Sequence, residues 1–130
     1  MNTTNVLTVM GAIMAVQAIA IFLGAEEITT EAFAALSPDA TGIEIGAMLH
    51  EAMAVMCLMV AVILLFSRNL EPAAGAKVLM GASVGVAIST AHGFSTMFTT
   101  VVTPPLPILL IMTALVVLGF VTAMKADDAS

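Results

Sequence analysis

Apolar residues run in four long blocks, about 6–24, 43–66, 77–98 and 106–124, separated by short polar or proline-bearing breaks. Each block supplies about 20 residues, the number needed to cross some 30 Å of hydrocarbon at 1.5 Å per residue. In lipid the backbone must satisfy its own hydrogen bonds, so all four blocks predict helices. The breaks carry matching punctuation. Pro72 suits the first turn of the third helix, and Pro104, Pro105 and Pro107 stop that helix before the fourth. Ser37-Pro38-Asp39 turns the chain, with Asp39 or Thr41 placed to cap the second helix. Between the first two spans, Thr30 to Leu36 predicts a short interfacial helix with Phe33 and Leu36 dipping toward the headgroups.

Composition strengthens this picture. Of 130 residues, 61% are hydrophobic and 9% are charged, where a soluble domain carries about a quarter charged. The expected fold is all-α, a four-helix transmembrane bundle, with residues 1–130 forming one integral membrane domain. The chain holds nine acidic and three basic residues, for a net charge of -6. That balance argues against nucleic acid and against a polybasic lipid anchor. Arg68, Lys77 and Lys125 fall on one side of the predicted membrane. The positive-inside rule makes that side cytoplasmic, and both termini with it. No base precedes the first apolar block, so it reads as a retained span rather than a secretory signal. The expected location is a cell membrane of the bacterial inner-membrane kind. The expected partners are lipid and a homo- or hetero-oligomeric membrane neighbour.

The chemistry rests on few residues. Ionisable side chains inside hydrocarbon are costly, so His50 and His92 are the leading candidates. His50 shares a helical face with Gly46 or Ala47, Ala54, Cys57 and Ala61. His92 shares one with Gly81, Gly85, Ser89 and Thr96. Small residues allow helices to approach closely in membranes, so both faces are expected to point inward. His50 lies about 24 Å outward of Phe66, and His92 about 22 Å outward of Lys77, at helical rise. If the second and third spans form an antiparallel hairpin, the two rings meet beneath the outer surface. The competing expectation is a pair of packed histidines bonded to Ser89, Thr90 or backbone carbonyls.

Glu51 adjoins His50 but points about 100° away on a helix of 3.6 residues per turn. Glu26 and Glu27 end the first span on the same side. A carboxylate beside an imidazole fixes its tautomer and raises its basicity; a solvated acidic rim is the plainer expectation. His50, His92, Glu51 and Glu27 form the candidate cofactor set, with His50 and His92 as candidate metal ligands. That set suits a quinone, haem or a transition metal.

Cys57 is single, which excludes an intrachain disulfide or a cysteine-pair relay, and it reads as a small packed hydrophobe. Met10 and Met14 on the first helix, and Met53, Met56 and Met59 on the second, read as packing. Gln17, near mid-span, is expected to hydrogen-bond across helices, and it lacks the carboxyl a proton-coupled exporter would need. No nucleophile–base pair, phosphate loop or paired acid and base is visible, so the chain is not expected to be an enzyme by itself.

Ser37-Pro38-Asp39-Ala40-Thr41-Gly42 before the second helix, Arg68 after it, Ala73 to Leu79 opening the third, His92, and the prolines before the fourth together resemble the DoxX-like group of small four-helix membrane proteins. The resemblance covers most of the chain as a layout. It implies a multi-pass protein, and for some members of that group a link to quinone-dependent sulfur oxidation. Here Glu26-Glu27 stand where a more basic exit from the first helix is expected. The leading reading is an accessory or redox-associated membrane subunit with an outward-side pocket for a quinone, haem or metal. Two alternatives stand beside it, a purely structural subunit of a larger complex and a small proton or metal-cation transporter.

Overall fold

A computed structural model describes residues 2–127. Five α-helices follow in order: α1 (Thr3–Leu23), α2 (Ala25–Ala32), α3 (Ala40–Ser67), α4 (Pro72–Thr99) and α5 (Leu106–Asp127), with a 3₁₀ turn at Ala34–Leu36. Helices α1, α3, α4 and α5 are each long and apolar enough to cross a membrane. The four spans mark the chain as a small multi-pass membrane protein. Helices α3 and α4, at 28 residues each, reach about 42 Å and so overrun a hydrocarbon core of about 30 Å.

The ends are set by local chemistry. The Asn2 side chain accepts from the Asn5 N–H and starts α1 before the expected Val6. Of the two candidate caps for α3, Asp39 is used: its carboxylate accepts from the Gly42 N–H at 2.8 Å. Pro72 opens α4 in its first turn, as expected, so the helix starts five residues ahead of the apolar block at 77. The expected interfacial helix lies earlier than the sequence suggested. Helix α2 follows α1 after Gly24 alone, and its last turn gives way to the 3₁₀ turn. Ser37 then takes left-handed backbone (φ 48°, ψ 57°), which redirects the chain into the α3 cap.

Helix α1 is the centre of the bundle. It packs mainly on α3 and also meets α4 and α5, while α4 packs mainly on α5. The expected hairpin of the second and third spans is therefore not the main pairing: α3 and α4 touch only over a short stretch. The core joins Val6, Leu7, Met10 and Met14 of α1 to Leu64 of α3, Leu79 and Val86 of α4, and Met112 and Leu115 of α5. Met53, Met56 and Met59 face outward instead of packing within the chain. Helix α3 is the least buried of the four spans.

Polar groups in the spans are satisfied locally. Thr8, Ser83, Thr90 and Thr113 each donate a hydroxyl to the carbonyl four residues earlier. This is how hydroxyls are accommodated in a membrane helix. No buried side-chain polar atom is left without a partner among the described residues. Gln17 is half-buried, and its amide makes no hydrogen bond among them, so the expected cross-helix bond does not form.

The two ends of the bundle differ in charge. Thr3 lies beside Gly75, which brings the start of α1 to the start of α4. Ala76 and Lys77 share a surface with Ala123 and Met124. Arg68, Lys77 and Lys125 therefore all lie at this end. At the other end, the Thr103 N–H bonds the Ala32 carbonyl at 3.2 Å, tying the proline-rich connection to the end of α2.

Candidate functional site

Helix α2 carries Ala25, Thr29 and Ala32 on one face, at steps of four and three, and all three are buried. That face lies on α3 at Gly46, which has no side chain to hold it off. A β-carbon at Gly46 would run into the Thr29 methyl group. One turn further along α3 comes His50.

The His50 ring is half-buried. Its Nδ1 lies 2.9 Å from the Gly46 carbonyl oxygen and 2.9 Å from Thr29 Oγ1. The Thr29 hydroxyl donates to the Ala25 carbonyl at 2.8 Å. These partners assign the tautomer. A carbonyl oxygen can only accept, so Nδ1 carries the hydrogen, and the single hydroxyl proton of Thr29 is already directed at Ala25. Nδ1–H is then shared between Gly46 O and Thr29 Oγ1. Nε2 keeps its lone pair and is the nitrogen free to accept a proton or bind a metal. Backbone-carbonyl anchoring of one ring nitrogen is the usual preparation of the other as a ligand.

His92 is placed differently. The inward face of α4 is Gly75, Ala76, Leu79, Ser83, Val86 and Thr90. His92 is about 200° around the helix from Thr90 and is exposed, as are Gly81, Gly85 and Ser89. A β-carbon at Gly81 or Gly85 would meet nothing within 4 Å. The expected inward face of α4 thus points out of the bundle, and the two imidazoles are not brought together. The physical reason is that lipid tails are as apolar as Leu or Val, so a membrane helix gains little by turning its larger side chains outward. Neither Ser89 nor Thr90 bonds a histidine; the Thr90 hydroxyl goes to Val86 O.

The carboxylates are gathered apart from the histidines. Glu26, Glu27 and Glu51 line one groove of about 590 Å³ with Phe22, Leu23, Thr30 and Ile43. Glu26 and Glu27 sit in the first turn of α2, where carboxylates complement the helix dipole. All three are exposed, and His50 is outside the groove's lining. Among the described residues no three His, Cys, Asp or Glu side chains are grouped to hold a metal ion. Cys57 is a free, half-buried thiol.

Thr29 is the residue that sequence reasoning overlooked; Gly46 was expected on the His50 face, but not as the seat of Thr29. The signal was present as the small-residue spacing Ala25–Thr29–Ala32, hidden in a segment that reads as an acidic linker. Comparison with family models, with curated proteins and with solved structures finds no match, and so none that supports the DoxX-like resemblance; the four spans are what stands.

Proposed function

We propose that this chain is an accessory subunit of a membrane complex, with a single-imidazole acceptor site at His50 near its outward, α2-bearing end. The observation that carries this reading is the commitment of His50 Nδ1 to Gly46 O and Thr29 Oγ1. It leaves Nε2 as a fixed lone pair, suited to accept a hydrogen bond from a quinol hydroxyl or to bind one transition-metal ion. Glu27 and Glu51, which line the groove at the same end of the bundle, are the candidates to take up a proton from such a ligand. Bis-histidine haem is not part of the proposal, because His92 points out of the bundle. Clustering of Arg68, Lys77 and Lys125 at the opposite end supports a cytoplasmic placement of that end, and of both termini, in a bacterial inner-membrane setting.

One observation favours a second reading. The Thr29–His50 hydrogen bond staples α2 to α3, and α3 presents a long apolar face. Both features suit a purely structural subunit whose histidine is a packing element.

The test has two parts. Solution or solid-state ¹⁵N NMR of His50 is expected to show protonated Nδ1 and unprotonated Nε2 in the neutral ring; the opposite tautomer overturns the site. Protein purified in maltoside detergent is then assayed for metals, for visible absorption and for extractable quinone. A ligand lost in His50→Ala supports the acceptor site. Protein free of all three, with the variant indistinguishable, leaves the structural subunit.

A further inference from the structure

The seam between α1 and α3 opens, just below the acidic groove, into a cleft of about 260 Å³ with a wholly apolar lining that includes Ile19, Phe22, Leu23, Val55 and Leu58. Phe22, Leu23, Val55 and Leu58 are exposed, so the cleft is open to the acyl region of a membrane. Phe22 and Leu23 also line the acidic groove, which makes cleft and groove one surface, apolar below and carboxylate-bearing above. We propose that this surface binds a membrane-dissolved amphiphile with an apolar tail in the α1/α3 cleft and a cationic, ammonium-type head among Glu26, Glu27 and Glu51.

Charge selects the occupant. The chain has only three Lys and Arg, and all of them lie at the far end of the bundle. The groove therefore contains three carboxylates and no cationic side chain. An anionic head would be repelled. A neutral chain would fill the cleft and leave three like charges in the groove without a counter-charge. A cationic head satisfies the groove while its tail satisfies the cleft. His50 is not part of either lining. Although Glu27 and Glu51 are common to both readings, the wrong His50 tautomer would overturn the one without touching amphiphile uptake, and absent uptake would overturn the other without touching the tautomer.

Uptake of radiolabelled hexadecyltrimethylammonium by the full chain in neutral maltoside micelles tests it, with hexadecyl sulfate and hexadecyl maltoside as charge controls and protein-free micelles as blank. The expected result is saturable uptake of the cation, one per chain. Exposed ion pairs each contribute about two- to threefold, so Glu26→Gln, Glu27→Gln and Glu51→Gln together are expected to weaken it about tenfold. Val55→Trp, which fills the cleft from an exposed position, is expected to weaken it by a similar factor, on the order of one or two displaced methylenes. Circular dichroism confirms that each variant keeps its helices. No saturable uptake above the blank overturns the proposal, as does uptake of either control with equal affinity or uptake unchanged by the three glutamines. A dimer that forms through the α1/α3 cleft and blocks uptake assigns it to a second copy and overturns the proposal as well.

Discussion

Gly46→Ala is the sharpest test of the α2/α3 junction that holds His50. The added methyl group would meet the Thr29 methyl inside contact distance, and Thr29 Oγ1 at 3.2 Å. Thr29 has little room to retreat, being 1% exposed and bonded to both Ala25 and His50. Overpacking of this kind costs about 1–3 kcal/mol. Displacing Thr29 also loses its bond to His50, about 1 kcal/mol. Alanine recovers about 1 kcal/mol through its better helix propensity. The net expectation is a destabilisation of about 2 kcal/mol. Reversible unfolding by dodecyl sulfate in mixed maltoside micelles, followed by far-UV circular dichroism, measures it. Two companions isolate the cause. Gly81→Ala, with nothing within 4 Å of the new atom, has the propensity gain and no clash, and is expected to stabilise by up to about 1 kcal/mol. Thr29→Ser removes the obstructing methyl and keeps the hydroxyl, so in that background Gly46→Ala is expected to cost under about 1 kcal/mol. The close approach at Gly46 is refuted if Gly46→Ala is no more destabilising than Gly81→Ala, or if its cost is the same in both backgrounds.

Gly119→Ala should destabilise the α4/α5 pair by about 1–3 kcal/mol, because the new atom would run into Ser83 Oγ; Ser83→Ala is expected to recover part of that cost in the same detergent-unfolding assay. Asp39→Ala removes the α3 cap at Gly42 N–H and should cost about 1 kcal/mol. Asp39→Asn keeps an accepting oxygen and is expected to restore most of it, which the same unfolding curves check.

The carboxylates were legible only as candidates beside the histidines: Glu26 and Glu27 at the end of the first span, Glu51 next to His50. That they share a groove which His50 does not line is seen only in the structure. His50 was expected on a packed face, and it is half-buried against Gly46. Its partner was not legible. Thr29 is 21 residues away, on a helix whose sequence reads as solvated linker, and only the close approach at Gly46 makes the contact. His92 was misplaced because small residues mark a close-packing face only if a neighbour is there to use it. Within this chain α5 and α1 take the face of Leu79, Ser83, Val86 and Thr90 instead.

Span number, span length and end chemistry are local properties, and the chain states them residue by residue. Four apolar blocks must be helices in lipid because no water is present to satisfy their backbones. Asn2, Asp39 and Pro72 set starts within a turn of themselves. Which faces meet is not a local property. With apolar side chains around every span and lipid as apolar as the core, no solvent contrast orients a helix. Close fit decides instead: α1 at the centre, Gly46 under Thr29, Gly119 under Ser83. That packing turned one histidine toward the bundle and the other away from it.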